Sequence, residues 1–218
     1  MELTKVETPV EMQFDDPAQQ REASALGMWT FLASEVLFFG GVFTGYSIYR
    51  WKYPHAFAEA SHHLYEWIGA VNTAILLTSS LFIALAVQAL HTERPRRAWR
   101  LIIATLICGL AFLSLKAVEY WMDYQEGLVP GVRFDASKFT DPAPATLFFT
   151  FYFSMTGLHA AHVISGLLVL TVIGITLRRA TDPGKYANSL ENGALFWHLV
   201  DIIWIFLFPL LYLIGGPK

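Results

Sequence analysis

Residues 34–45 read SEVLFFGGVFTG, a single carboxylate followed by an almost unbroken run of apolar and small residues. No other charged residue lies between Glu22 and Arg50. A stretch of this composition is typical of a helix that crosses a bilayer, which needs about 20 mostly apolar residues. Because an ionised carboxylate inside the bilayer costs about 2.5 to 3.5 kcal/mol on insertion scales, we expect Glu35 to face other helices or to carry a proton.

The whole chain has the composition of a membrane protein. Its 218 residues are 55% hydrophobic and only 15% charged, whereas soluble domains carry about 25% charged residues. Five segments are long and apolar enough to span a membrane: 25–49, 67–90, 98–122, 145–177 and 194–214. We therefore predict an all-α membrane protein, with an N-terminal segment at 1–24 and one bundle of five transmembrane helices at 25–218. The acidic N-terminal segment does not resemble a cleaved signal peptide.

Basic residues predict how the chain crosses the membrane. Nine Lys and Arg residues flank the spans on the side of the N-terminus, and five lie on the other side. Basic loops tend to stay cytoplasmic, so we expect the N-terminus, with segment 1–24, in the cytoplasm and the C-terminus outside. The longest link, 123–144, contains Pro130-Gly131 and Asp141-Pro142 and is predicted to be an irregular external loop.

Charged residues inside the first and third spans suggest helix contacts. Gly41 and Gly45 form a small-xxx-small pattern that lets another helix approach closely, and we expect Glu35 to face that neighbour. Glu35 would then be either a protonated acid that hydrogen-bonds another helix or a group with a proton-linked or lipid-linked role. Lys116 and Glu119 are spaced i,i+3, so they can pair on one helix face.

Histidines of the last two spans leave several interpretations open. His159 and His162 share a helix face, and His162 with His198 could form an axial haem pair, but no Cys-x-x-Cys-His motif is present and hydrogen bonds between helices are favoured. His198 and Asp201 are predicted to pair in the first turns of the fifth span, where the helix dipole favours a carboxylate. A basic rim of Arg178, Arg179 and Lys185 could instead bind phospholipid headgroups there.

The sequence contains no motif for catalysis by this chain alone. We find no nucleophile with a plausible base, no Gly-rich phosphate loop and no basic surface for nucleic acid. A proton-coupled transporter that uses Glu35, Lys116 and Glu119 as a relay remains possible, although such proteins often show repeats and broken helices.

Four stretches in order resemble subunit III of the haem–copper respiratory oxidases. They are SEVLFFGG (34–41), LKAVEY (115–120), GLHAAHVISG (157–166) and FWHLVDIIWIFLF (196–208). Together they cover four of the five spans, so the resemblance extends from about residue 27 to the end of the last span. The chain is similar to the five-span bacterial type, which lacks the first two helices of seven-span members and with them the far wall of a lipid-filled cleft.

The resemblance implies roles for the unusual residues. Glu35 matches the family's intramembrane carboxylate, which reacts with hydrophobic carbodiimides, and Lys116 and Glu119 match its charged third-span motif. Polar residues that lie between helices or between subunits in the family are matched here by His159, His162, Glu191, His198 and Asp201. None of these residues is a haem or copper ligand in the family, so the chain is expected to bind no cofactor other than structural phospholipid.

The resemblance also implies an accessory subunit in a bacterial inner membrane. Subunit I would carry the haems and copper, reduce dioxygen to water and pump protons, and subunit II would receive electrons from cytochrome c. Subunit III would stabilise the catalytic subunit, support proton uptake and hold phospholipid in a cleft. A quinol oxidase and a nitric oxide reductase with a subunit III homologue remain alternatives.

Overall fold

The computed structural model describes residues 12–213 and 215, and this part of the chain is almost entirely helical. Six α-helices follow one another: α1 Pro17–Lys52, α2 Pro54–Ser61, α3 Glu66–His91, α4 Pro95–Gln125, α5 Pro142–Arg179 and α6 Ala187–Tyr212. Five of these helices, all except α2, are long and apolar enough to cross a membrane. The prediction of an all-α protein with five membrane-length helices is confirmed, whereas the orientation of its termini stays a prediction.

The first helix begins earlier than the hydropathy of the sequence suggests. Pro17 occupies its first position, where a missing N–H costs nothing, and the Asp16 carboxylate accepts hydrogen bonds from the backbone N–H groups of Ala18 and Gln19 at 2.7 and 2.8 Å. Polar first turns therefore precede the apolar span, because capping rather than hydrophobicity sets the start of the helix. The predicted N-terminal segment thus includes the start of α1, and its residues 1–11 lie outside the described residues.

Helices α3 to α6 form the packed core, and α1 lies against it along a narrow stripe. The buried residues of α1 are Leu32, Phe39 and Tyr46, spaced seven apart, and the Tyr46 hydroxyl donates to the Leu210 carbonyl at 2.7 Å. The close helix approach predicted for Gly41 and Gly45 is wrong at Gly41, where no atom from another part of the described chain lies within 4 Å of the position of a Cβ, whereas at Gly45 the Phe151 ring of α5 lies 3.7 Å from that position. Most of α1 therefore presents an open surface.

The link between α4 and α5 is ordered, so the prediction of an irregular loop is wrong. After α4 ends at Gln125, two short strands pair antiparallel, β1 Leu128–Val129 with β2 Arg133–Phe134. Gly131 has a φ of 75°, and a turn with Pro followed by Gly at positive φ is a type II turn, which fits Pro130-Gly131. The turn residues were visible in the sequence, but strands of two residues carry no hydrophobic periodicity.

Four tryptophans, three exposed and Trp99 half-buried, mark two levels along the bundle. Trp29 and Trp51 on α1 are 22 residues apart, as are Trp99 and Trp121 on α4. At 1.5 Å per residue this separation is about 33 Å, close to the bilayer's apolar thickness of about 30 Å, and tryptophan favours the membrane interface. We call one end the arginine end, for Arg96, Arg100, Arg178 and Arg179, and the opposite end, which carries β1 and β2, the hairpin end.

Candidate functional site

Glu35 on α1 contacts His162 on α5 within the apolar part of the bundle. Glu35 Oε2 lies 3.0 Å from His162 Nε2, and both side chains are 19% exposed. His162 Nδ1 lies 2.8 Å from the Leu158 carbonyl oxygen. Because a carbonyl can only accept, Nδ1 carries a hydrogen, and the contact between Nε2 and Oε2 then contains one proton. This proton belongs either to a neutral glutamic acid or to an imidazolium, and the pair has no net charge in both cases.

The sequence predicted that Glu35 faces another helix but did not identify the partner. His162 was assigned to the interhelical polar set, and the structure brings these two predicted residues together. The rings of Phe39 and Phe196 lie beside the imidazole, with centroids 5.1 and 6.4 Å from it. The arrangement can hold one proton in apolar surroundings and leaves the carboxyl partly accessible from the lipid side.

Lys116 lies at the centre of a buried polar cluster near the hairpin end. Its ammonium donates to Glu119 Oε2 at 3.0 Å, to the Tyr152 hydroxyl at 3.1 Å and to the Tyr212 hydroxyl at 2.9 Å. Lys116 is 4% exposed and Glu119 is fully buried. All three ammonium hydrogens are therefore used. Four aromatic rings also lie within 5.6 Å of the ammonium nitrogen, those of Tyr120, Tyr152, Trp204 and Tyr212.

Asp123 is a member of this cluster that sequence reasoning placed in the following loop. It lies four residues after Glu119 on the same face of α4 and is fully buried. The Tyr152 hydroxyl lies 3.2 Å from Asp123 Oδ2 and 3.1 Å from Glu119 Oε1, and Asp123 Oδ1 has no hydrogen-bond partner among the described residues. The i,i+4 spacing was a signal in the sequence, but the predicted end of the span at residue 122 concealed it.

A second pair of groups lies where this cluster approaches the surface. The Tyr65 hydroxyl, just before α3, donates to the carboxylate of Glu126 at the end of α4. This hydrogen bond, together with partial burial and the neighbouring carboxylates, raises the pKa of Tyr65 to about 12. Lys138 Nζ donates to the Glu126 carbonyl at 2.7 Å. Polar groups therefore continue from the buried cluster to the aqueous edge of the hairpin end.

His159 does not form the hydrogen bond between helices that the sequence predicted. The side chain is fully buried, and neither ring nitrogen has a hydrogen-bond partner within residues 12–213 and 215. The imidazole packs against Trp204 and Phe112, with centroid distances of 5.1 and 5.5 Å. Its environment is aromatic because Trp204 and Phe112 occupy the space that a polar partner on α6 or α4 would need.

The predicted pair of His198 and Asp201 is also wrong. His198 Nδ1 bonds the Ser80 hydroxyl at 2.6 Å. Ser80 also lies beside the Asp201 carboxyl, but outside hydrogen-bonding geometry, and Asp201 has no hydrogen-bond partner in the described part of the chain. Because α6 begins at Ala187, these residues lie beyond its first turn, where the helix dipole has little effect. Glu191 instead contacts His91 at 2.6 Å, joining α6 to the end of α3.

The arginine end contains an apolar groove with a basic rim between α4 and α5. Two adjoining cavities of about 380 and 390 Å³ share Trp99 and Arg178, whose guanidinium carbon lies 4.5 Å from the centroid of the Trp99 ring. The basic rim is formed by Arg96, Arg100, Arg178 and Arg179, and the apolar floor includes Ile103, Leu106, Gly174, Ile175 and Leu177.

Two of the three basic residues predicted for lipid headgroups thus line the groove. The third, Lys185, lies outside its lining and contacts Asp182 at 3.8 Å. Sequence reasoning missed Arg96 and Arg100, because they lie at the junction of the second and third spans and line the same groove as Arg178 only through the packing of α4 against α5.

Metal-binding geometry is not found in the part of the chain that the structure describes. No group of three His, Cys, Asp or Glu side chains there could hold a metal ion. The two imidazoles considered for an axial haem pair engage other groups, since His162 contacts Glu35 and His198 contacts Ser80.

Comparison with known proteins agrees with the family resemblance of the sequence. The family model for cytochrome c oxidase subunit III matches residues 11–216. The chain is 31% identical over 206 residues to cytochrome c oxidase subunit 3 of Thermostichus vulcanus, covering 92% of each protein. It is 30% identical over 193 residues to the same subunit of Alkalihalophilus pseudofirmus, covering 87% of this chain and 86% of that one.

A third relative has a different organisation. A haem–copper oxidase subunit I+III of Aeropyrum pernix is 30% identical over 196 residues, which are 86% of this chain but only 22% of that protein. The matches confirm the resemblance seen in the sequence. Since the family model covers nearly its whole length, the chain belongs to the cytochrome c oxidase subunit III family of the haem–copper oxidases.

Proposed function

We propose that this chain is a non-catalytic accessory subunit of a proton-pumping terminal oxidase that packs against catalytic subunit I and holds anionic phospholipid at its arginine end. Subunits I and II of the same complex would carry the haem and copper. The chain would lie in a bacterial inner membrane with its N-terminus in the cytoplasm, stabilising the catalytic subunit and supporting proton uptake. The observation that carries the lipid role is the groove between α4 and α5.

The rim of the groove suits a phosphate group. Guanidinium groups bind phosphate oxygens through paired, charge-assisted hydrogen bonds, and arginines from two helices converge there. Trp99 lies under Arg178 at 4.5 Å, a contact that holds the guanidinium in one place. The guanidinium group of Arg178 is therefore positioned before a headgroup arrives, which lowers the entropic cost of binding.

The floor of the groove suits an acyl chain. Its apolar residues follow α4 and α5 away from the rim, toward the middle of the bundle between the two levels that the tryptophans mark. A phosphate at Arg178 thus leaves a hydrocarbon chain in contact with apolar side chains. The same rim would bind inorganic phosphate, but only a lipid would use both the rim and the floor.

Association with subunit I is supported by a relative and by the surface of the bundle. In the Aeropyrum pernix relative, which is a haem–copper oxidase subunit I+III, both subunits belong to one chain. Here α1 buries only a stripe of three residues, and its other faces are mostly apolar and exposed. Such a surface needs lipid or another protein against it. Cytochrome c is proposed as the electron donor from the names of the relatives, and a quinol oxidase or nitric oxide reductase partner would show in the subunits that co-purify.

Charge-matched double variants test the lipid site. Arg178→Gln with Arg179→Gln should lower the amount of anionic phospholipid that co-purifies with the complex, as measured by mass spectrometry. Arg94→Gln with Arg97→Gln removes the same charge at the same end but lies outside the groove lining, so this control should retain the lipid. Equal lipid in all three proteins, or equal loss in both variants, would contradict a specific site.

The accessory role is tested by purification of the tagged chain. In mild detergent we expect large partner subunits and the haem absorption bands of the complex, and a harsher detergent should remove both together. Haem that stays with the lone chain would overturn the proposal. A chain that purifies without partners or haem would favour the transporter alternative instead.

A further inference from the structure

The buried cluster at the hairpin end has more acidic than basic groups. Lys116, Glu119 and Asp123 follow one face of α4 and are at most 4% exposed. One ammonium therefore lies among two carboxylates in a place that water does not reach. A buried charge without a partner is expensive, and in proteins such a group binds or releases a proton instead.

The hydrogen bonds show which of the two carboxyl groups does not pair with Lys116. The three hydrogens of Lys116 go to Glu119 and to the hydroxyls of Tyr152 and Tyr212, and Tyr212 donates to Glu119 Oε1 at 2.7 Å. Glu119 is thus the carboxylate that neutralises the lysine. Asp123 can accept at most the single hydrogen of Tyr152, and its Oδ1 accepts none within the described residues.

No second cation compensates Asp123. The charged and titratable groups that act on it are Glu119 and Lys116 of α4, Glu126 just after α4 and Tyr152 of α5, and Lys116 is the one cation among them in the described part of the chain. Tyr65, from the segment before α3, lies near enough to interact electrostatically with the Asp123 carboxylate. Tyr212 of α6 also interacts electrostatically with this carboxylate. Lys138 bonds the Glu126 carbonyl and does not reach the cluster.

We propose that Asp123 is a proton-binding site: its carboxyl holds a proton in the folded bundle and exchanges it with the aqueous phase at the hairpin end past Glu126 and Tyr65. When the O–H bond of Asp123 breaks, the proton passes to water and leaves a carboxylate beside Glu119. The two negative charges then repel each other inside the packed contact of α4 with α5 and α6. The packing of this end therefore responds to the pH of the adjoining aqueous phase.

The sign of the pH effect follows from proton counting. The unfolded chain exposes Asp123 as a carboxylate, whereas the folded chain keeps it protonated, so the folded state binds one proton more. Stability therefore falls as pH rises, and the ratio of folded to unfolded protein drops by about tenfold per pH unit while the difference of one proton lasts. The loss ends once Asp123 in the folded protein has released its proton.

Infrared spectroscopy of the purified full-length protein, in its complex, tests the proposal. A protonated carboxylic acid has a C=O stretch that is separate from carboxylate bands and shifts in D₂O. The difference spectrum of the wild type minus Asp123→Asn should contain one such band at neutral pH, and this band should vanish as the pH is raised. The matched control is Asp135→Asn, because Asp135 is an exposed turn residue whose pKa is lowered by hydrogen bonds from Ser137. Its difference spectrum should contain no carboxylic-acid band.

Folding of the variants supplies a second readout. Asn has the shape of a protonated Asp, so Asp123→Asn should assemble normally and should lose the fall in stability with rising pH that we expect for the wild type. Glu126→Gln should keep the band and slow its shift in D₂O. A difference spectrum without a carboxylic-acid band at any pH would overturn the proposal. Failure of Asp123→Asn to assemble would overturn it too, because that variant imitates the proposed state.

Discussion

Replacement of Lys116 by Met should destabilise the bundle more than most single substitutions. Methionine keeps the apolar stem and much of the volume but removes the ammonium and its three hydrogen bonds. Glu119, which is fully buried, then loses the one cation that it contacts among the described residues. Breaking a buried ion pair by removing one partner costs about 3 to 5 kcal/mol, so we expect a loss of that size in the free energy of unfolding.

The reverse substitution sharpens the test. Glu119→Gln should cost less than Lys116→Met, because Asp123 can release its proton and its charge then offsets Lys116, whereas the part of the chain that the structure describes holds no second cation beside Glu119. Unfolding of the purified chain in mixed micelles, followed by tryptophan fluorescence during titration with a denaturing detergent, measures both changes. A loss below about 1 kcal/mol for Lys116→Met, the size of an ordinary substitution, would refute the reasoning. Equal losses for the two variants would refute the role given to Asp123.

Two further predictions follow from contacts elsewhere in the bundle. Glu35→Gln should leave assembly largely intact and abolish labelling by a hydrophobic carbodiimide, since an amide cannot react in this way; labelling that persists in the variant would remove the assignment. Gly109→Ala should lower the unfolding free energy by about 1 to 3 kcal/mol through overpacking, because its new Cβ would lie 2.7 and 2.8 Å from atoms of Leu167 and Trp197. Gly41→Ala is the matched control and should be neutral in the isolated chain, so equal effects of the two alanines would show that the helix contact at Gly109 is not tight.

The polar sites were predictable to different degrees. Lys116 and Glu119 could be paired from the sequence because both lie on one helix, where an i,i+3 spacing fixes their relation. Glu35 and His162 lie 127 residues apart on different helices, and helical spacing only indicates that each faces inward. The pair of His198 and Asp201 failed for a related reason, since Ser80 of another helix takes the hydrogen bond of His198. Spacing along one helix describes which face a residue occupies, and the neighbouring helices decide its partner.

The sequence by itself determined the class of protein, the five membrane-length helices and the family, because hydropathy and ordered motifs are properties of contiguous residues. Tertiary structure alone decided which residues form sites. The groove combines Arg96 and Arg178, and the acidic cluster combines Asp123 with Tyr152, through the packing of α4 against α5. Helix contacts in a bilayer depend on the shape of side chains and on a few polar bonds rather than on hydropathy, so the composition that identifies each span does not identify its neighbours.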